Sequence, residues 1–195
     1  MPRTAHIDRK TAETKIQLSL AVDGSGTSDV QTGVGFLDHM LTLFARHGLM
    51  DLTVRCDGDL HVDQHHTVED VGICLGLAIA QAVGDKRGIV RYGTFTVPMD
   101  ETLVMVSLDL SGRAFLVCDL DLHNRRIGDF DAELVLEFFR AVADNARLNL
   151  HVHQFRGENA HHIAEAAFKA FARALDAATR LDERVTGVPS TKGTL

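Results

Sequence analysis

Several features are missing from this 195-residue chain, and each absence excludes a class of function. There is no basic excess. With 20 Lys and Arg against 27 Asp and Glu, the formal charge is −7, so neither nucleic acid nor an anionic membrane is a natural partner. There is no CxxC spacing: Cys56, Cys74 and Cys118 are odd in number and each falls in an apolar stretch, the pattern of reduced core thiols in a cytosolic protein. No apolar segment follows Met1-Pro-Arg-Thr, so no secretory signal is expected. The longest uninterrupted apolar run, Val71 to Ala80, is about half a membrane span. The expectation is a soluble, cytoplasmic protein.

What is present is an ordinary globular composition, 45% hydrophobic and 24% charged, in a chain long enough to bury a core. The 11 histidines are the outlier, and their placement matters more than their number.

The chain is written twice. ETKIQLSL from Glu13 resembles ETLVMVSL from Glu101, with apolar residues in step. Period-two alternation puts Ile16, Leu18, Leu20 and Val22 on one strand face, and Val104, Val106, Leu108 and Leu110 on the other copy's. Glycine turns follow, Asp23-Gly24-Ser25-Gly26 and Ser111-Gly112, so each half is expected to open with a hairpin. Helical stripes come next: Phe36, Leu37, Met40, Leu41 and Phe44 in one half, Leu134, Val135, Phe138, Phe139 and Val142 in the other. A short strand, DLTVRC or NLHVHQF, leads to HHxxE and a second helix. The core stripes there are Val68, Val71, Leu75, Ile79 and Ala82, then Ile163, Ala167, Ala170, Phe171, Ala174 and Leu175. The reading is an α+β protein made of an internally duplicated half-domain, each a β-sheet with two helices on one face. The halves divide as 1–88 and 89–195, packed as one unit, with the boundary near Gly84 to Arg91.

On a helix, residues i and i+4 share a face while i and i+1 diverge by about 100°. His65 and Glu69 therefore converge on one ion, as do His161 and Glu165, while His66 and His162 point to another. His39 lies 26 residues before His65, and Glu137 lies 24 before His161, so equivalent helices offer an imidazole in one half and a carboxylate in the other. These eight side chains suffice for two ions with positions left open for substrate. Imidazole and carboxylate without thiolate fit Mn²⁺, Fe²⁺ or a catalytic Zn²⁺, with Mn²⁺ favoured if coordination is octahedral. One HHxxE alone reads as a polar helix start. Two copies in a duplicated framework read as a site.

Lys169, one turn past Glu165, reads as an anion contact, as do Arg91 and Arg113 flanking the strands of the second half. Ser190-Thr191-Lys192-Gly193 offers hydroxyls, an ammonium and a flexible glycine to a phosphate. The residues alone leave three readings open: a lyase acting on a small anionic substrate, a dinuclear metallohydrolase, and a non-catalytic metal-storage or structural shell. The last would need neither Lys169 nor the tail cations.

GVGFLDHML from Gly33, DQHHTVEDVG from Asp63, GENAHHIAEAAFKAFARAL from Gly157 and STKG from Ser190 closely resemble the imidazoleglycerol-phosphate dehydratase family, in the family's order from about Arg9 onward. The resemblance implies dehydration of imidazole glycerol phosphate to imidazole acetol phosphate in histidine biosynthesis. It also implies a ribosomal protein S5 domain 2-like duplicated fold and a homo-oligomeric shell of twenty-four subunits, with two Mn²⁺ per active site at subunit interfaces. It places metal ligands on His39, His65, His66, Glu69, His161, His162 and Glu165. The eighth ligand position, often histidine in relatives, is Glu137. Substrate contacts fall on Glu13, His39, Arg91, Arg113, Lys169, Thr191, Lys192 and Gly193. A glutamine common in the family one turn after His39 is Leu43 here, so that contact is missing. The implied chemistry holds the ring between two cations as imidazolate, which expels the neighbouring hydroxyl. Glu13 is the expected proton shuttle, with Glu69 or Glu165 in a second catalytic role. Neighbouring subunits are expected to complete each site.

Overall fold

The computed structural model describes residues 3–195. The first half runs β1 (Thr4–Lys10), β2 (Thr14–Ala21), β3 (Ser28–Gln31), α1 (Gly35–Gly48), β4 (Asp51–Gly58) and α2 (His65–Val83). The second repeats it as β5 (Tyr92–Met99), β6 (Thr102–Asp109), β7 (Phe115–Asp119), α3 (Leu134–Ala146), β10 (Asn149–Arg156) and α4 (Ala160–Thr179). A short hairpin, β8 (Arg126–Ile127) and β9 (Phe130–Asp131), is added before α3. The sheets have matching orders, β1-β2-β4-β3 and β5-β6-β10-β7. Even the helix ends agree: Leu49 after α1 and Arg147 after α3 both adopt left-handed backbone, φ 54° and 53°. The expected α+β class and duplication are what the chain adopts.

The alternating strand residues behave as their period requires. Ile16, Leu18, Leu20 and Val22, and Val104, Val106, Leu108 and Leu110, all lie in the core. Both helical stripes of the HHxxE helices are likewise buried. By length and composition α2 is apolar enough to cross a membrane, yet most of it is buried against β1, β2 and α3.

One expectation needs correction. Each half does open with an antiparallel hairpin, but it joins β1 to β2 and β5 to β6, upstream of the glycine turns. β2 already has β1 on one edge and β4 on the other, so no edge is free for a strand returning from Gly24. The carboxylate of Asp51 instead accepts hydrogen bonds from the Ser25 and Thr27 amides at 2.8 and 2.9 Å, carrying the chain past β4. β3 then pairs parallel with β4, and β7 parallel with β10. The turns holding Glu13 and Glu101 are thus the hairpin turns, and both lie beside the HHxxE helices.

The helices exchange partners between halves: α1 packs on α4, and α2 packs on α3. Phe44 stacks on Phe171 at 5.6 Å, and Phe138 and Phe139 pack on Phe168 at 4.9 and 5.0 Å, joining both halves in one aromatic core. The α2–α3 seam is closer still, because Gly72 and Gly76 face α3. A Cβ on Gly76 would lie 2.8 Å from the Val142 carbonyl oxygen.

All three cysteines are free. Burial pushes Cys56 up to about 11 and Cys74 and Cys118 up to about 12. At pH 8 only about one Cys56 in a thousand is then thiolate, against about a quarter of free cysteines. A disulfide reagent at pH 8 should therefore label the folded protein at least about 100-fold more slowly than the protein unfolded in guanidinium.

Candidate metal centre and anion site

The second HHxxE begins α4, where the Asn159 side chain accepts from the amides of His161 and His162 and fixes the first turn. One turn on, Glu165 lies under His161, and the exchanged helix α1 brings His39 over the same carboxylate. His161 Nε2 is 3.1 Å and His39 Nε2 is 3.2 Å from Glu165 Oε2. Among the described residues this is the one group of three ligating side chains whose donor atoms all lie within 4.8 Å. Ligands at right angles about 2.1 Å from an octahedral ion stand about 3 Å apart, so the donor set and spacing fit a divalent cation. The Lys169 ammonium sits 2.6 Å from Glu165 Oε1. Burial alone would raise the Glu165 carboxyl, but Lys169, His161 and His39 hold it below its ordinary value.

The first motif is laid out more openly. Asp63 accepts from the His65 amide at 2.8 Å, and His65 Nε2 stands 3.9 Å from Glu69. Glu137 lies on α3, beside α2 as His39 lies beside Glu165, but its carboxylate is held by Arg140 at 2.8 and 2.9 Å. His66 turns away from Glu69: its Nδ1 meets Asp59 Oδ2 at 2.9 Å, and its Nε2 stands 3.6 Å from Glu13. His162 likewise turns its Nδ1 to Glu101 Oε2 at 2.8 Å. Asp59 raises the His66 pKa and Glu101 raises that of His162. Glu101 itself is held well below the carboxylate range, chiefly by the Asn159 amide and then by His162. Leu43 packs partly buried against the core and makes no polar contact.

Asp59 and Glu101 were not anticipated from the sequence. Glu101 had a signal, being the repeat partner of Glu13. Asp59 had none, since its contact with His66 depends on how the loop after β4 closes.

Both motifs occupy one end of the molecule. Phe130 of the β8–β9 hairpin packs on Phe36 at 4.9 Å, and Phe36 packs on His161 at 5.3 Å. The same hairpin, through Arg126, Asp129 and Asp131, lines a cavity with His65. Apart from Lys169, the candidate anion residues lie at the other end. Arg91, Arg113, Ser190, Thr191 and Lys192 line a single cavity, and the Gly193 amide donates to the Ser190 carbonyl at 3.0 Å. Arg91 is held by Asp109 at 2.7 and 3.0 Å and by the Pro189 carbonyl at 2.8 Å, docking the tail. The Arg91 amide donates to the carbonyl of Ala178, near the end of α4. At 1.5 Å per residue that is about 25 Å from His161. The β6 strand gives a similar figure, about 23 Å from Thr102 to Asp109.

The family profile for imidazoleglycerol-phosphate dehydratase matches residues 32–175. The chain is 61% identical to imidazoleglycerol-phosphate dehydratase of Trichlorobacter lovleyi, and 61% identical to that of Acetivibrio thermocellus, over the whole of each chain. Among solved structures, the Staphylococcus aureus enzyme superposes with a TM-score of 0.83 at 44% identity, covering 92% of this chain and 99% of that one. The Pyrococcus furiosus enzyme superposes with a TM-score of 0.84 at 38% identity, covering 97% and 100%. With the profile spanning most of the chain, relatives matching end to end and the fold superposing on solved members, the chain belongs to the imidazoleglycerol-phosphate dehydratase family.

Proposed function

We propose that this chain dehydrates imidazole glycerol phosphate to imidazole acetol phosphate in histidine biosynthesis, as a soluble cytoplasmic enzyme using two Mn²⁺ per site. The observation that carries the metal reading is the convergence of His39 Nε2, His161 Nε2 and Glu165 on one point. The remaining ligands are His65, His66, Glu69, His162 and Glu137. A divalent metal held by these residues would supply positive charge that eases loss of the ring proton, so that the ring could help expel the hydroxyl on the adjoining carbon.

The chain's own groups do the rest. Both oxygens of Glu165 are engaged, one by Lys169 and the other by His39 and His161, so it holds position and does not shuttle protons. Glu13 is half exposed and accepts no close hydrogen bond from the described residues, which suits it to take the C–H proton and protonate the departing hydroxyl. Lys169 faces the substrate from beside the metals. Arg91, Arg113, Thr191, Lys192 and Gly193 hold the phosphate and supply positioning energy.

The substrate is on the order of 8 Å long by ordinary bond lengths, far short of the distance from His161 to Arg91 in one chain. Each site is therefore completed by a neighbouring subunit, consistent with a shell of twenty-four. Protein stripped with a chelator should be inactive on imidazole glycerol phosphate, and Mn²⁺ should restore ketone formation, followed by ultraviolet absorbance. No ketone from the metal-loaded protein would refute the dehydratase reading. Equal activity after stripping would refute the metal dependence.

A further inference from the structure

The two halves treat their equivalent glutamates in opposite ways. Glu101 is fully occupied: Oε1 accepts from the Glu158 and Asn159 amides at 3.1 and 2.9 Å and from the Thr102 hydroxyl at 3.0 Å, and Oε2 meets His162 Nδ1 at 2.8 Å. Glu13, its repeat partner, stands 3.6 Å from His66 with no such bonds among the described residues. In the first half the Nδ1 contact is made by Asp59, whose own amide donates to the Glu13 carbonyl at 3.1 Å, locking the two loops together.

The repeat shows how the second half differs at this loop. β10 carries a bulge between Gln154 and Arg156, so Gly157 falls in register with Gly58, and Glu158 takes the place of Asp59. Glu158 gives its backbone amide to Glu101 at 3.1 Å, and the carboxylate reaching His162 Nδ1 comes from the hairpin turn.

We propose that Asp59 and Glu101 are positioning residues that fix the rings of His66 and His162 through Nδ1, presenting Nε2 as ligand, and that Asp59 in this role leaves Glu13 free to work on the substrate. A ring nitrogen donating to a carboxylate fixes the tautomer and makes the other nitrogen a stronger ligand. The first half thus has two carboxylates for two tasks. In the second, Glu101 is spent on orientation, and Asp100 stands 3.8 Å from His162 Nε2.

The inference rests on the metal reading above, and Mn²⁺ binding to the assembled protein, followed by the paramagnetic resonance of free Mn²⁺, separates the two. In Glu101→Gln the amide oxygen keeps its backbone partners and turns its NH₂ toward His162 Nδ1, forcing the wrong tautomer. Glu101→Gln and Asp59→Asn should each weaken Mn²⁺ binding about 10- to 100-fold. Glu13→Gln should bind Mn²⁺ as wild type does. In a His162→Ala background, Glu101→Gln should cost no further affinity, because it acts through that ring. A merely structural role for Glu101 would weaken binding further in that background, and would overturn the proposal. Wild-type affinity in Glu101→Gln would overturn it while leaving the metal reading standing. A wild-type protein without Mn²⁺ affinity would overturn both.

Discussion

Two inactive variants should make an active enzyme when assembled together. The first, His161→Ala, loses a ligand at the convergence of His39, His161 and Glu165. The second, Arg113→Ala with Lys192→Ala, loses two exposed cations of the opposite cavity whose side chains make no hydrogen bond or ion pair among the described residues. Each alone should lose most of its activity, the cation-deficient variant by about 10²- to 10⁴-fold, since two charge-assisted phosphate contacts are worth about 1.5 to 3 kcal/mol apiece. When the two are unfolded together at equal concentration and reassembled, a site works wherever a metal end from the cation-deficient chain meets a phosphate end from the His161→Ala chain. Random assortment in a symmetric oligomer gives about one site in four. The expected result is about a quarter of the activity of wild type taken through the same cycle. Mixed assemblies as inactive as the parents would mean that metal and phosphate ends belong to one chain's site, against the separation of about 25 Å along α4.

The second large effect is on stability. Gly72 and Gly76 let α2 and α3 approach until a Cβ on Gly72 would lie 2.9 Å from the Phe138 carbonyl, and one on Gly76 2.9 Å from the Ala146 amide. These obstacles are backbone atoms of a helix pinned by Phe138 and Phe139 in the shared core, so they cannot rotate away. Gly76→Val gains about 0.5 kcal/mol of helix propensity over glycine, but overpacking a tight core costs about 1 to 3 kcal/mol and sometimes more. A net loss of about 2 kcal/mol is expected, lowering Tm by about 4 to 8 °C at this chain length. Leu77→Val, on the outer side of the same helix and partly exposed, should cost under about 1 kcal/mol. Equal shifts for the two variants in a thermal melt would mean that the seam is not closed on glycine.

Much of this was readable without coordinates. Strict alternation at Ile16 to Val22 and Val104 to Leu110 assigned the buried faces correctly, because burial of one sheet face leaves no other register. Spacing of four paired His161 with Glu165, since helix geometry is local. The repeat brought in His39, yet nothing in the pattern said that His39 would join the motif of the other half. That depends on α1 crossing to α4, a long-range packing choice without local signature. The hairpins were expected at the glycine turns for the same reason: the edges of β2 were already taken by strands distant in sequence. Asp59 stayed invisible because an aspartate after a strand looks like any turn residue until the loop is closed.

The exchange of helices between halves makes the polypeptide a tethered dimer of two similar modules. Each module covers the other's apolar helix face, so neither one has a complete core to fold around by itself. The segment 84–91 then acts as a leash, keeping two complementary pieces at an effective concentration in the millimolar range. Cutting that leash would convert a unimolecular folding reaction into an association. The stability of the nicked molecule would rise with its concentration, and the triad of His39, His161 and Glu165 would assemble only as fast as the two pieces meet.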